Sequence, residues 1–366
     1  MNDLTSNPTD NSPVKVLAVN PAALQLATPI EPNMPKTSAK PKSAKRLADT
    51  KNLSHQDWLA VRNTGIGGSD AAAACGLNPY MSRLELWLIK TGRMNPDLSD
   101  SLMDNAYSPL YWGKELEPLV AKYYTAKTGN KVRRVNAVLQ HPDDDKAFML
   151  ANLDYAVNKS EIGVLEIKTA GEHGAKLWKN GVPMYVLCQV QHQLAVTGKS
   201  LAHVCVLICG HEAKLFEVKR DDILIEQLIE QERRFWQYVQ NDVPPPADGT
   251  DSSAKALARL YPSSNGDSID FTENAIVSRW FDNLLEQKKM IEFHQNHFDV
   301  LKQQIQQAMK DADIATFANG SISWKKSKDS VSLDSKALLK DQPQLLEQYK
   351  QVREGSRRFL VNTLSN

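Results

Sequence analysis

The chain lacks the cysteine and hydrophobic patterns that mark secreted, metal-scaffolded or membrane proteins. Its four cysteines form no C-x-x-C pair and have no histidine at zinc-finger spacing, so we expect neither disulfides nor a cysteine–metal framework. No apolar run reaches the ~18 residues of a membrane span. The first residues, MNDLTSNPTD, lack the basic and apolar regions of a signal peptide. We therefore expect a cytoplasmic protein with no membrane partner.

The chain also lacks a strong net charge. Its formal charge is +1, which neither supports nor excludes a nucleic-acid partner, because a local basic groove can be offset elsewhere. Hydrophobic residues make up 42% of the chain and charged residues 24%, as in ordinary globular proteins. With 366 residues the chain is long enough for one large core or two smaller ones.

Three regions of different composition divide the chain. Residues 1–50 hold seven of the eighteen prolines and end in a lysine-rich run, so we expect a disordered tail that buries too little apolar surface to fold. Residues 51–245 alternate helix and strand patterns up to the turn-forming run PPPADG. Residues 250–366 have apolar positions at threes, fours and sevens, which predicts a long amphipathic helix. A hairpin at Asn319-Gly320 and a final helix interrupted near Pro343 are expected to follow.

The central region has the pattern of an α/β protein. Short strand-like stretches, including KVRRVNAVLQ, AFMLANLDYAV and GVLEIKT, lie between segments of helical periodicity. This order predicts a mixed central sheet flanked by helices, with a mainly helical extension after it.

The stretch GVLEIKT predicts a buried strand that carries an acid and an amine on one face. Glu166 and Lys168 are two positions apart and therefore point to the same side of a strand. Asp154 precedes Glu166 by twelve positions, and Glu117 lies on an earlier helix. Three carboxylates converging near one lysine would form an oxygen-ligand site for magnesium. The carbonyl of Ile167 would complete the ligand set, and the lysine would orient the attacking water.

A simpler interpretation of the same motif stays open at this point. An E-x-K pair is also common on half-exposed strands, where it forms a cross-strand charge pair. The acid is flanked by apolar residues on both sides, however, with Val-Leu before it and Ile after it, and burying an unpaired carboxylate costs several kcal/mol. The acid must therefore have a partner, and either a metal ion or the lysine would serve.

A glycine-rich turn upstream predicts an anion site. The stretch TGIGGSDAA offers backbone N–H groups and the Ser69 hydroxyl at a helix start, and Arg62 lies seven residues earlier. A tight turn with Ser69 as a plain helix N-cap is the alternative.

Farther along, the helix CQVQHQLAVTG carries several polar residues on an apolar background. Of these, we expect Gln189 alone to face the sheet or a cleft beside it.

Taken in order, these stretches resemble the YqaJ-type viral recombinase family, which includes lambda-exonuclease-like enzymes. The resemblance is carried by WLAVRNTGIGGSDAAAACGLNPY, WGKELEPLVAKYY, LDYAV, LEIKTA and YVLCQVQHQLAVTG, over about residues 58–200. It implies a PD-(D/E)xK restriction-endonuclease-like fold extending to about residue 245. It also implies a magnesium-dependent enzyme, with manganese as a substitute, that degrades one strand of linear double-stranded DNA from 5′ to 3′.

The resemblance also implies roles for particular residues. Asp154 and Glu166 would be metal ligands with the Ile167 carbonyl, Lys168 would activate or orient the water, and Glu117 would help to hold a water of the metal site. Gln189 would support this site, and Arg62 and Ser69 would hold a 5′-terminal phosphate. Asp154 is followed by Tyr155, where family members commonly have glycine, so we expect the next loop to be tighter or differently placed.

Partners follow from the resemblance alone. It implies a ring-shaped homo-oligomer, with a trimer favoured, and a single-strand annealing protein that coats the 3′ overhang. Two other classes remain open: a structure-specific or sequence-specific endonuclease on the same fold, and a non-catalytic DNA-end-binding module. A Cas4-like enzyme would need an iron–sulfur cysteine cluster, whose spacing is missing here. The C-terminal region is a candidate docking arm for the annealing protein.

Overall fold

The computed structural model describes residues 43–95, 109–158, 162–352 and 355–362. The expected disordered tail lies outside the described residues up to position 42. Its last part was predicted wrongly, because Lys45–Asp49 forms a strand that pairs antiparallel with Ala137–Gln140. The strand is short, largely exposed and rich in charge, which is typical of a sheet edge. The composition of this segment is typical of disorder. The strand was not predicted because its pairing partner lies about ninety residues away in the chain.

The described part of the chain contains eleven strands and eleven α-helices. The strands are β1 (Lys45–Asp49), β2 (Ile66–Gly67), β3 (Val132–Arg134), β4 (Ala137–Gln140), β5 (Met149–Ala151), β6 (Tyr155–Val157), β7 (Ile162–Ala170), β8 (Leu201–Ile208), β9 (Glu212–Lys219), β10 (Ile314–Phe317) and β11 (Gly320–Ser323). The helices are α1 (His55–Arg62), α2 (Gly68–Ala74), α3 (Arg83–Lys90), α4 (Pro109–Thr128), α5 (Glu172–Ala175), α6 (Met184–Thr197), α7 (Asp222–Gln240), α8 (Asp251–Leu260), α9 (Ala275–Met309), α10 (Ser335–Asp341) and α11 (Gln344–Tyr349).

A five-stranded mixed sheet forms the centre of the fold. Its order is β3-β6-β7-β8-β9, with β7 and β8 parallel and the other neighbours antiparallel. A second sheet has the order β1-β4-β5-β2 and pairs β2 parallel with β5. This arrangement confirms the predicted α/β class with a mixed central sheet.

The two faces of β7 pack against different helices. Val164 belongs to a core cluster with Val190 and Leu194 of α6. Leu165 and Ile167 belong to another cluster, with residues of α4. Because side chains alternate along a strand, Glu166 and Lys168 share the α6 side with Val164. The acid and the amine therefore lie between the central sheet and a buried polar helix.

The C-terminal region has the predicted order of elements. Helix α9 spans 35 residues, the hairpin pairs Phe317 with Gly320 around the Asn319-Gly320 turn, and Pro343 separates α10 from α11. Large apolar side chains of α9, such as Trp280, Ile291 and Phe298, are exposed. In the part of the chain described, no helix is long and apolar enough to cross a membrane.

Candidate active site

A cavity of about 510 Å³ opens between the central sheet, α1, α2, α4 and α6. It brings together all eight residues predicted to form the metal and phosphate sites. Its lining consists of Trp58, Arg62, Gly67, Gly68, Ser69, Gly113, Lys114, Glu117, Asn152, Asp154, Glu166, Ile167, Lys168, Thr169 and Gln189. The two clusters predicted separately from the sequence therefore share one cavity.

Glu166 is buried and held through both carboxylate oxygens. Gln189 Nε2 donates to Glu166 Oε1 at 2.6 Å, and Gln193 Nε2 donates to Glu166 Oε2 at 2.8 Å. Lys168 Nζ lies 2.7 Å from Glu166 Oε1. The two glutamines are one turn apart on α6, so the packing of this helix on β7 sets the direction of the carboxylate.

Lys168 is the cation that contacts Glu166. Its Nζ also donates to Gln189 Oε1 at 2.9 Å, so Gln189 bridges the lysine and Glu166. Burial lowers the pKa of Lys168, but the Glu166 and Asp154 carboxylates outweigh burial and raise this pKa above its ordinary value. The ammonium form is therefore favoured, which suits a residue that orients water and offsets negative charge.

Asp154 lies immediately before β6, beside the strand that carries Glu166. Its Oδ2 accepts a hydrogen bond from the Ile167 N–H at 2.9 Å. Burial and the neighbouring Glu166 charge raise the pKa of Asp154 well above its ordinary value, while Lys168 opposes the shift. Two carboxylates that repel each other in this way favour an additional cation between them.

Glu117 reaches the cavity from α4. Its Oε1 lies 3.4 Å from Arg134 Nη2, and Arg134 Nε donates to the Tyr155 hydroxyl at 3.3 Å. Burial raises the pKa of Glu117, with Arg134 opposing this shift and Glu166 adding to it. The expected difference from family members after Asp154 stays a prediction; in this chain Tyr155 starts β6 directly and pairs with Leu165 of β7. The Tyr155 hydroxyl helps to place the Arg134 side chain.

The donor chemistry of the cavity fits a hard divalent cation such as magnesium. Asp154, Glu166 and Glu117 offer carboxylate oxygens, and Ile167 lines the same cavity beside them. Among the described residues, however, no group of three or more His, Cys, Asp or Glu side chains lies close enough together to hold a metal ion, so the predicted convergence of three carboxylates is not found. Magnesium commonly keeps several water ligands and needs only one or two protein carboxylates, so such a group of three is not required.

Arg62 and Ser69 form the second cluster on the cavity wall. Arg62 Nη2 donates to Ser69 Oγ at 2.5 Å and lies 2.7 Å from Asp70 Oδ1. The backbone cradle predicted from the glycine turn is reduced here, because the Gly67 N–H donates to Asp70 Oδ2 at 3.0 Å. The Arg62 guanidinium therefore supplies the formal positive charge on this part of the cavity wall.

Several buried polar residues of α6 were not predicted, and one of them, Gln193, contacts Glu166. Gln189 was expected to be the one inward-facing polar residue of α6, but this was wrong, since Gln191, His192 and Gln193 are also buried. Gln191 donates to the Lys219 carbonyl at 2.7 Å, and His192 Nδ1 lies 2.8 Å from Glu232 Oε1. The i, i+4 spacing of two glutamines was the available signal for Gln193.

Fold and site together define an α/β protein with a mixed central sheet flanked by helices and an acid–lysine motif on a central strand. The YqaJ-like viral recombinase domain model matches residues 57–200. The uncharacterized protein YqaJ of Bacillus subtilis (strain 168) is 35% identical over 329 residues, which are 88% of this chain and 99% of that protein. The chain belongs to the YqaJ-like viral recombinase family, as the sequence motifs predicted.

Two solved structures show a weaker likeness. The alkaline exonuclease LHK-Exo from Laribacter hongkongensis is 22% identical, with a TM-score of 0.42, covering 56% of this chain and 99% of that chain. A phage related exonuclease from Haemophilus somnus 129PT is 12% identical, with a TM-score of 0.32, covering 49% of this chain and 96% of that chain.

Proposed function

We propose that this protein is a magnesium-dependent nuclease that digests linear double-stranded DNA from the 5′ end toward the 3′ end. One observation carries the proposal: Asp154, Glu166 and Lys168 line one cavity together with Arg62 and Ser69. The first three residues suit phosphodiester hydrolysis, and the other two suit capture of a phosphate. Membership of a viral recombinase family supports the same conclusion.

In this proposal the chain's own residues prepare the hydrolysis. Lys168, in its ammonium form, orients the attacking water and offsets the charge that grows on the phosphate oxygens. Gln189 and Gln193 keep the Glu166 carboxylate in one orientation, and the Ile167 N–H does the same for Asp154. A bound magnesium ion, or manganese in its place, would supply further positive charge at the scissile phosphate.

The position of Arg62 and Ser69 favours an exonuclease over an endonuclease. An arginine beside a hydroxyl recognises a terminal phosphate, which carries more charge and more free oxygens than an internal one. A strand end held there would place its nearby phosphodiester in the cavity that contains Lys168. Recognition of a 5′-terminal phosphate then sets the 5′-to-3′ polarity.

The family supports a role in recombination. Digestion from 5′ to 3′ leaves 3′ single-stranded overhangs, the substrate of a single-strand annealing protein, which we propose as the partner. We also propose that residues 51–245 form the nuclease domain within a cytoplasmic ring-shaped homo-oligomer, with a trimer favoured, and that residues 250–366 are an extension of it. Light scattering on the full chain would measure the subunit number directly.

Digestion of linear and covalently closed circular duplex DNA, with magnesium present or chelated, tests the proposed reaction. We expect magnesium-dependent loss of the linear DNA while the circle stays intact. Cleavage of the circle would identify an endonuclease instead. Binding to linear DNA without digestion in any divalent metal would identify an end-binding module.

A further inference from the structure

A buried ion cluster lies behind the part of the cavity wall that Arg62 and Ser69 form. Asp70 Oδ1 lies 2.7 Å from Arg62 Nη2, and Asp70 Oδ2 lies 2.8 Å from Lys90 Nζ. Lys90 Nζ also donates to the Arg62 carbonyl oxygen at 3.1 Å, and the Gly67 N–H donates to Asp70 Oδ2. One carboxylate therefore joins the end of α1, the start of α2 and the end of α3.

Exposure differs sharply within this cluster. The Lys90 side chain is 1% exposed and that of Asp70 is 8% exposed, whereas that of Arg62 is 27% exposed and lines the cavity. The Arg62 guanidinium also lies 5.3 Å from the centre of the Trp58 ring. Asp70 and Trp58 therefore restrain the arginine, while Lys90 stays out of reach of any molecule in the cavity.

The charge balance of the cluster explains the role of the buried Lys90 ammonium. A carboxylate beside Arg62 alone would hold the guanidinium but would also cancel its charge. Lys90 pairs with the second oxygen of the same carboxylate, so the three side chains together carry one net positive charge. The only member of the three that reaches the cavity is Arg62.

The pKa of Asp70 agrees with this arrangement. Although burial raises it, the Arg62 and Lys90 charges together bring the pKa of Asp70 far below its usual value. Burial lowers the pKa of Lys90, and the Asp70 carboxylate opposes that shift. A buried lysine is costly unless it is paired, so its partner must be the charged carboxylate.

We propose that Asp70 and Lys90 are positioning residues that determine the preference for 5′-phosphorylated DNA ends. Asp70 holds the Arg62 guanidinium toward the cavity, and Lys90 neutralises Asp70 so that the arginine keeps its charge for the terminal phosphate. The proposal rests on the nuclease function proposed above, because that function names the anion. It adds two buried residues that never touch the DNA.

The test compares duplexes that differ only in a 5′-phosphate or 5′-hydroxyl end. The quantity measured is the ratio of digestion rates on the two ends, together with the ratio of their dissociation constants when magnesium is chelated. The variants are Lys90→Met, the double variant Asp70→Asn/Lys90→Met, and Arg62→Ala as the low reference. Lys122→Met removes an exposed lysine on α4 and controls for general loss of charge.

We expect Lys90→Met to lower the phosphate-to-hydroxyl ratio by about tenfold, the scale of one charge-assisted hydrogen bond. The double variant removes the uncompensated carboxylate as well, so its ratio should recover to between those of Lys90→Met and the wild type. A purely structural role would reduce digestion of both ends alike and would produce no recovery. Lys122→Met should keep the wild-type ratio.

Three results would overturn the proposal. The first is an unchanged phosphate-to-hydroxyl ratio in Lys90→Met. The others are a ratio in the double variant that is no higher than in Lys90→Met, or one that equals the wild-type ratio. If Lys90→Met does not fold, the phosphate-to-hydroxyl ratio of the double variant must still lie between those of the wild type and Arg62→Ala. Absence of any end preference in wild-type digestion and binding would also overturn it. Magnesium-dependent digestion without end preference would leave the nuclease function standing.

Discussion

Gln193 Nε2 donates to Glu166 Oε2 across 2.8 Å, linking a buried helix to the acid of the central strand. The other oxygen of Glu166 accepts from Gln189 Nε2, one turn earlier on the same helix. This pair of amides leaves the carboxylate one orientation. The geometry of the site is therefore set by the packing of α6 against β7, which can be tested away from the acid itself.

Replacing Gln193 by alanine is expected to slow DNA digestion by about 10–100-fold, the usual effect of losing a group that orients a ligand. The reason is that Glu166 loses the donor to one oxygen and gains freedom to rotate. The matched control is Gln191→Ala on the same helix, whose amide bonds the Lys219 carbonyl outside the cavity. Equal losses of activity in the two variants would contradict the role given to Gln193.

Gly68 permits the close approach of α2 to α6. A Cβ atom at this position would lie 3.2 Å from Gln193 Cγ and 3.4 Å from Gln189 Cγ. We expect Gly68→Ala to displace the two glutamines, lowering the free energy of unfolding by about 1–3 kcal/mol and reducing digestion. Gly171→Ala, where an added Cβ meets nothing within 4 Å, is the control in the same urea titrations. Equal effects of the two variants would show that an added Cβ at Gly68 does not displace the glutamines.

The buried pair of His192 and Glu232 is expected to stabilise the fold rather than the chemistry. His192 Nδ1 lies 2.8 Å from Glu232 Oε1, and its Nε2 lies 2.8 Å from the Leu150 carbonyl oxygen. Glu232→Ala should lower the free energy of unfolding by about 3–5 kcal/mol, because it leaves a buried charge without its partner. Replacing both residues, as His192→Leu/Glu232→Met, should lower the free energy of unfolding by less than Glu232→Ala does. A larger loss in the double variant would count against this account.

The same pair predicts a pH dependence of stability. Burial lowers the pKa of His192, but Glu232 outweighs burial and raises this pKa above its ordinary value. A histidine with a raised folded-state pKa stabilises the fold fully below its unfolded pKa of about 6.5 and loses this contribution as pH rises through the folded value. The reference is the double variant His192→Leu/Glu232→Met, because His192→Leu alone would leave the Glu232 carboxylate buried without its partner. The stability difference between wild type and this double variant should shrink in unfolding titrations as pH rises through the folded-state pKa of His192. A stability difference that grows as pH rises would contradict a raised pKa of His192 in the folded protein.

Local patterns predicted the part of the site that depends on one strand. Glu166 and Lys168 share a face because side chains alternate, and Asp154 was predicted to join them. Arg62 was assigned to a separate phosphate site, and the structure places both sites in one cavity. Gln193 and Lys90 were missed, because the rotation of a helix about its axis depends on packing that a sequence pattern does not specify. Strand β1 was missed for a related reason, since its partner β4 is distant in the chain.

The proposed 5′-to-3′ digestion is tested most directly with a linear duplex that is labelled separately at its 5′ and 3′ ends. Release of each label in magnesium is measured for the wild type and for Lys168→Ala. We expect the wild type to release the 5′ label before the 3′ label. In Lys168→Ala we expect digestion to fall by about 10²–10³-fold, the scale of losing one charge-stabilising donor, while binding to the same duplex persists. Release of the 3′ label first, or undiminished digestion by Lys168→Ala, would contradict the account.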